Sequence, residues 1–331
     1  MQIALLGESK IRFNLVYDAE TLEHLSTFGD RSPLLRKKDF AAHADFLRDC
    51  EVAFSTWGIP KLSEEELAQW LPNLKACFYA AGTVQHFARP LLERGVRVSC
   101  AAAANAVPVA EFTFAQIILA AKGTFGAQKY YRLALPLSFR LSRRAPGNYG
   151  LKVGLLGVGA IGALVAERLK TIDAQVFAYD PFLPQERAEE LGLTLVSLEE
   201  IFSECDVISN HLANKAELRG VLNGNLFRRM KTRAIFINTG RGAQVKEGAL
   251  ALALLRHPGR TAFLDVLRNE IAPFLSPLWW CPNVYFTPHS AGSLSRECGR
   301  MADWMIDELE RYLAGEPLLH VVTMEMLERM A

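Results

Sequence analysis

The sequence predicts an α/β protein made of two doubly wound parallel-sheet domains, and three observations carry that expectation. Short apolar runs alternate with amphipathic helical segments along most of the chain, the rhythm of the strand and helix units that build parallel sheets. The rhythm runs twice, over residues 1 to about 103 and again from Lys152 onward, with a long helix-forming stretch between. A length of 331 residues is room for about two domains.

In the first run, Met1 to Gly7 is too short and too poor in basic flanking residues for a signal peptide, and it reads as a strand over Ile3 to Leu6. Further strands are expected at Val52 to Trp57, Leu74 to Ala80 and Val96 to Cys100, about four in parallel. Between them, Ser63 to Trp70 and Phe87 to Arg94 carry charge in helical phase, and Ser63-Glu64-Glu65-Glu66 has the form of a capping box. Ala101 to Lys122 is rich in helix formers after Pro108 and long enough to bridge two domains. Gly123 to Gly150, basic and interrupted by Gly and Pro, reads as a surface connection or a place of contact between subunits.

The second run opens on Val153-Gly154-Leu155-Leu156, which reserves no polar face for water and reads as a buried parallel strand. Gly157, Gly159 and Gly162 follow at once, before a helix that repeats Ile161, Leu164, Val165 and Leu169 at helical spacing. Gly157 permits the tight turn, Gly159 lets the backbone approach a pyrophosphate, and Gly162 lets the helix pack on the strand. The N-terminus of that helix, at Ala160 and Ile161, presents free N–H groups and a positive dipole end to the same anion. A second strand, Gln175 to Tyr179, ends at Asp180, where a carboxylate accepts hydrogen bonds from a ribose diol and repels a 2′-phosphate. These features make a Rossmann dinucleotide site that favours NAD over NADP.

Beyond Asp180, strands are expected at Thr194 to Val196, Asp206 to Leu212, Ala234 to Asn238, Thr261 to Leu264 and Val284 to Thr287. Helical segments lie between them at Leu198 to Ser203, Asn225 to Met230 and Glu247 to Leu255. The last long helix, Ser295 to Leu313, sets Met301, Trp304, Met305, Leu309 and Tyr312 on one stripe, read as core, and Gly315-Glu316-Pro317 stops it.

Arg241, Glu270 and His289 each lie just past the carboxyl end of a predicted strand, the rim where ligands bind in an open parallel sheet. A guanidinium grips a carboxylate through two hydrogen bonds, and an imidazole exchanges a proton with a hydroxyl or carbonyl oxygen near neutral pH. A carboxylate beside the imidazole orients it and favours its charged form. Together they are the equipment for hydride transfer between a 2-hydroxy acid and NAD, with the cofactor carrying the hydride. Trp57, at the end of a first-domain strand, is a candidate wall of the substrate pocket, core packing being the competing reading.

The chain resembles the D-isomer-specific 2-hydroxyacid dehydrogenase family through motifs in order from about Leu74 to Tyr312. They are Gly157-Val158-Gly159-Ala160-Ile161-Gly162, Ile237-Asn238-Thr239-Gly240-Arg241-Gly242, Leu264-Asp265-Val266 leading to Glu270, Ser276-Pro277-Leu278-Trp279 and Thr287-Pro288-His289-Ser290-Ala291-Gly292. Asn105 to Glu111 is similar to the family's interdomain helix entry. The resemblance implies that Arg241 binds the substrate's carboxylate and carbonyl, that His289 is the acid or base, and that Glu270 supports it. Thr239 and Asp265 fall on the cofactor side, Asp265 toward the nicotinamide carboxamide. The loop whose backbone amides meet the substrate carboxylate reads Ala81-Gly82-Thr83-Val84-Gln85, which assigns substrate contacts to Gly82, Thr83 and Val84. Thr83 stands there in place of a glycine, Gln85 in place of a common Asp, and His211-Leu212-Ala213 in place of the usual His-x-Pro. His211 is read as a structural or cofactor-side residue. The family architecture further implies a Rossmann NAD-binding domain over 104–293 and a smaller flavodoxin-like substrate domain over 1–103, completed by 294–331, with the active site in the cleft between them and a dimeric assembly.

The expected activity is that of an NAD-dependent oxidoreductase on a 2-hydroxy or 2-keto acid. A rival reading is a non-catalytic NAD(H) sensor that recruits a protein partner. Formate oxidation is disfavoured because Glu270 occupies the position of a Gln, and formate has no hydroxyl proton to remove. A formal charge of +1 recommends neither nucleic acid nor an anionic membrane as partner. No stretch is expected to reach the length of a membrane span. The six cysteines, Cys50, Cys77, Cys100, Cys205, Cys281 and Cys298, form no CxxC pair, which points away from a metal site or disulfide framework and toward a reducing cytoplasm.

Overall fold

The computed structural model describes residues 1–329. Its contacts divide the chain into two units, Met1–Asn105 together with the chain from Ser293 onward, and Ala106–Gly292.

The first unit is built on β1 (Gln2–Leu6), β2 (Asp30–Leu35), β3 (Cys50–Ser55), β4 (Ala76–Tyr79) and β5 (Arg97–Cys100). They pair in parallel in the order β2-β1-β3-β4-β5, and a two-residue strand, Val321–Val322, adds antiparallel to β5. The expected four strands are therefore corrected by β2 and by this edge piece. The segment Asp30-Arg31-Ser32-Pro33 shows no apolar period because β2 pairs on one side only, where a proline and polar side chains are tolerated. Along β1 the side chains alternate between two cores: Ile3 and Leu5 join Phe54 and Phe78, whereas Ala4 and Leu6 join Phe40 and Leu67. The helix Arg296–Leu313 closes the first of these faces, with Met301, Met305 and Leu309 fully buried and Trp304 and Tyr312 partly so. Each fully buried side chain of that size contributes about 1.5–3 kcal/mol. The helix ends where Gly315, at φ 73°, lets the Glu316 N–H turn back to the Arg311 carbonyl.

The second unit holds β6 (Leu151–Leu156), β7 (Ala174–Tyr179), β8 (Thr194–Leu195), β9 (Val207–Asn210), β10 (Ile235–Asn238), β11 (Thr261–Leu264) and β12 (Val284–Phe286). All pair in parallel, in the order β8-β7-β6-β9-β10-β11-β12. The interior strand β10 is covered on both faces, which is why Ile235, Phe236 and Ile237 read as an apolar run: Ile235 and Ile237 enter one core and Phe236 the other. The strand order reverses between β6 and β9, and at that switch point the crevice opens beyond the carboxyl ends of the strands.

Three readings change. Gly123 to Gly150 is no plain connection, since Thr124–Tyr131 and Leu135–Arg143 form a helical hairpin with Tyr131, Leu133, Leu135 and Phe139 exposed. Neither helix buries an apolar side chain, Ser138 being the one buried residue of the pair, so the core-facing stripe by which a helix is recognised is missing. The helix Ala102–Ala121 contains Pro108 in its interior and, with a mean hydropathy of 1.4, is long and apolar enough to cross a membrane, contrary to expectation. Ala110, Ile117 and Ala121 are fully buried in the second unit's core, so its apolar character is that of a packed helix. Trp57 stands two residues beyond the end of β3.

Candidate active site

The glycine turn follows β6 directly. Gly157 has φ 86°, in the left-handed region, and a Cβ there would lie 2.8 Å from the His211 carbonyl oxygen. At Gly162 a Cβ would lie 2.2 Å from the Gly157 carbonyl oxygen, so the helix Ala160–Leu169 rests against the turn itself. At Gly159 a Cβ would meet nothing within 4 Å. This open position is the N-cap of the helix, and no side chain caps the amides that follow, at Ala160 and Ile161. An uncapped helix N-terminus over open space fits a pyrophosphate. Asp180, just past β7, accepts the Val158 N–H at 2.8 Å and the Phe182 N–H at 2.9 Å, one on each oxygen. Each oxygen keeps acceptor capacity for a ribose diol. His211 lies beside this turn; its Nε2 pairs with the Ser209 hydroxyl at 2.9 Å, while its buried Nδ1 has no partner. Burial pushes its pKa down to about 4, which keeps the ring neutral and suits a structural or cofactor-side place.

Arg241, Glu270 and His289 gather beyond β10, β11 and β12. The His289 Nδ1 lies 2.8 Å from Glu270 Oε2, with both side chains about half exposed. His289 sits at φ 52°, a left-handed conformation that costs a non-glycine residue about 1–2 kcal/mol. Asp265 supplies what holds it there. One carboxylate oxygen accepts the Thr287 hydroxyl at 2.6 Å and the Ser290 N–H at 2.8 Å, and the other accepts the Ala291 N–H at 3.0 Å. The Asp265 carbonyl accepts the His289 N–H at 3.0 Å. Asp265, expected to meet the nicotinamide, is thus bound up in shaping the His289 loop. Arg241 donates to the Gly240 carbonyl at 2.8 Å; burial draws its pKa down and the nearby Glu270 carboxylate draws it up. The guanidinium stays charged throughout the physiological range. Thr239 is buried, with its hydroxyl 3.1 Å from that of Thr113.

Sequence reasoning missed a buried amide network beneath Arg241. Asn210, at the end of β9, donates to Asn238 Oδ1 at 2.9 Å and to Gln244 Oε1 at 2.7 Å. The Gln244 amide donates in turn to the Leu212 and Ala213 carbonyls at 3.0 and 2.8 Å, and Asn238 Oδ1 accepts the Gly240 N–H at 3.1 Å. The loop that lacks the family's proline at Ala213 is held by these bonds. The available signal was an Asn at the end of each of two buried strands, Asn210 and Asn238.

In the first unit, Trp57 and the Gly82–Val84 loop follow the carboxyl ends of the paired strands β3 and β4. The Thr56 hydroxyl donates to the Ala80 carbonyl at 2.8 Å and ties the two turns together. Trp57 is partly buried and packs against the cores on both faces of the sheet. Val84, expected to contact substrate, is fully buried in one of those cores, backbone included, whereas Gly82 and Thr83 are partly exposed. Gln85 donates to the Leu327 carbonyl. Among the described residues no cluster of His, Cys, Asp and Glu is able to hold a metal ion.

Residues 116–291 match the family model of the D-isomer specific 2-hydroxyacid dehydrogenase NAD binding domain. The chain is 30% identical over 288 residues to a glyoxylate reductase of Korarchaeum cryptofilum, covering 85% of each. It is 36% identical over 168 residues to a D-3-phosphoglycerate dehydrogenase of Mycobacterium bovis, covering 51% of this chain but 32% of that relative. In fold it is similar to the NAD-complexed D-isomer specific 2-hydroxyacid dehydrogenase of Lactobacillus delbrueckii ssp. bulgaricus, with a TM-score of 0.78 at 22% identity over 98% of this chain and 100% of the other. The glycine turn with its uncapped helix and Asp180, the rim residues, and these relatives agree: the chain belongs to the D-isomer-specific 2-hydroxyacid dehydrogenase family of NAD-dependent oxidoreductases.

Proposed function

We propose that the protein catalyses reversible hydride transfer between NADH and a 2-keto acid, as a D-2-hydroxyacid dehydrogenase in which His289 gives and takes the proton. The observation that carries this reading is the 2.8 Å contact between His289 Nδ1 and Glu270. With Nδ1–H donated to the carboxylate, Nε2 is the nitrogen left to face a substrate oxygen. Bound NADH supplies the hydride. In reduction Nε2 protonates the alkoxide as it forms, and in oxidation it accepts that proton back. Arg241 grips the substrate carboxylate in the bidentate mode open to a guanidinium, and the partly exposed amides of Gly82 and Thr83 bind the same group. Trp57 has the size to bound the substrate side chain.

The likeness to a glyoxylate reductase puts small 2-keto acids first among substrates. The test follows NADH oxidation with glyoxylate, hydroxypyruvate, pyruvate, phenylpyruvate and branched 2-keto acids, in wild type and His289→Ala. We expect turnover of at least one acid, and a drop of about 10²- to 10⁴-fold in both directions without His289, with NADH affinity kept. NADH binding with no turnover of any acid would favour the sensor reading instead. A fully active His289→Ala would remove His289 as the proton carrier.

We also propose a homodimer in the cytoplasm. Supporting the dimer, the exposed helical hairpin adjoins a cavity of about 670 Å³ lined by Phe112, Gln116, Phe125, Tyr285 and Trp279. A monomeric mass by light scattering would refute it. The six buried free thiols suit a reducing compartment.

A further inference from the structure

The Ser276-Pro277-Leu278-Trp279 motif has no part in the reaction proposed above, yet its serine is firmly engaged. Ser276 is buried, and its hydroxyl donates to Glu247 Oε2 at 2.6 Å. The other oxygen of the same carboxylate accepts the Arg268 N–H at 2.8 Å. Arg268 and Ser276 stand at the two ends of the excursion that carries Glu270 out from β11. Glu247 lies in the first turn of the helix Glu247–Arg256, which is anchored in the core by Leu250, Ala251, Ala253 and Leu254. One side chain on a core-anchored helix therefore closes the excursion at both ends.

Between those ends little else holds the segment. Ile271, Phe274 and Leu275 are 97%, 57% and 68% exposed, so no core packing orders it. Its internal bonds are local: Asn269 Oδ1 accepts the N–H groups of Ile271 and Ala272, a turn that shapes the tip without fixing its direction. The base of the excursion abuts the Arg241 loop, since a Cβ on Gly242 would lie 2.0 Å from the Leu267 carbonyl carbon. That contact pins the base itself at Leu267, and the segment beyond it depends on the clasp.

We propose that Glu247 and Ser276 form a positioning clasp, which fixes the 268–276 excursion so that the Glu270 carboxylate meets His289 Nδ1. The inference rests on the reading of the His289 and Glu270 pair given above. Charge-assisted hydrogen bonds from a buried hydroxyl and an amide are strong and directional, and they act where dispersion contacts are missing. The clasp touches neither substrate nor cofactor and works through Glu270.

The test is a double-mutant cycle of Ser276→Ala and Glu270→Gln, read as kcat and KM for the best keto acid, with the NADH Kd and the thermal midpoint measured alongside. Misplacing a reacting geometry by about 1 Å costs up to about 100-fold, so Ser276→Ala should lower kcat by about 10- to 100-fold while NADH binding is kept. Ser276→Thr, which retains the hydroxyl, should restore most of that loss. Glu247→Gln, which keeps an acceptor for the Arg268 N–H but gives up the charge, should fall between wild type and Ser276→Ala. In the Glu270→Gln background, Ser276→Ala should cost little more, because the group it positions is already gone. An equal fold loss in both backgrounds would overturn the clasp and leave the His289 and Glu270 pair standing, as would a fully active Ser276→Ala. Wild-type kinetics in Glu270→Gln would overturn the pair itself and the clasp with it.

Discussion

Adding one methyl group at Gly159 or at Gly162 should damage the protein in opposite ways. At Gly162 the new Cβ would lie 2.2 Å from the Gly157 carbonyl oxygen, a backbone atom that cannot rotate away, so helix and turn must part by about 1.2 Å to reach the 3.4 Å of ordinary contact. Overpacking of this kind costs about 3 kcal/mol at its upper range, of which about 1 kcal/mol is returned because alanine favours a helix over glycine. A net loss of about 2 kcal/mol lowers the thermal midpoint by about 4–8 °C for a unit of this size. At Gly159 the backbone has φ −73° and ψ −158°, which alanine adopts freely, and its Cβ would meet no protein atom within 4 Å. The small loss at a helix N-cap is offset by the reduced freedom of the unfolded chain, so stability should hold within about 0.5 kcal/mol. The methyl group instead occupies the space left for the pyrophosphate. The same overpacking range, about 1–3 kcal/mol, then falls on the complex and weakens NADH by about 5- to 150-fold. Thermal denaturation and an NADH fluorescence titration of the two variants separate these effects. Wild-type NADH affinity in Gly159→Ala, or a wild-type midpoint in Gly162→Ala, would refute the cradle as described.

Arg241→Lys should lose about 1.5–3 kcal/mol in kcat/KM for the keto acid, with NADH affinity unchanged, because an ammonium cannot reproduce the paired hydrogen bonds; steady-state kinetics with separate NADH titrations check this. Wild type should prefer NADH to NADPH, and Asp180→Ala should narrow that preference by weakening NADH and relieving repulsion of the 2′-phosphate, which parallel titrations with both cofactors will measure. The same substitution removes the acceptor that holds the Val158 and Phe182 amides, so some loss of NADH affinity will come from the loosened turn. Arg260→Met should lower stability by about 2–4 kcal/mol in urea titration without changing kcat. Its buried guanidinium donates to the carbonyls of Phe227, Arg228, Met230, Lys231 and Ala253, which methionine would leave unpaired.

Much of the site was legible because its signals are local. The three glycines answer to constraints within one turn, and the structure shows a separate reason for each: a left-handed φ at Gly157, open space at Gly159 and a backbone contact at Gly162. The capping box at Ser63 closes within four residues, with Ser63 and Glu66 each bonded to the other's backbone N–H. The stripe of Met301, Met305 and Leu309 follows helical spacing, so its burial was readable from the spacing alone.

What the sequence determined by itself is therefore what repeats or closes over a few residues: the α/β class, the dinucleotide turn, and the placing of Arg241, Glu270 and His289 just beyond strand ends. Tertiary structure alone decided what those side chains bind. The Glu247 to Ser276 contact spans 29 residues and the Asn210 to Gln244 contact spans 34, and no periodicity marks such partners. Each loop has several ways to satisfy its polar groups, and neighbouring loops select among them. The edge strand Asp30–Leu35 and the helical hairpin at Thr124–Arg143 stayed hidden for a related reason. Each is held on one side only, so its composition answers to solvent as much as to a core, and the pattern that reveals a buried element is absent.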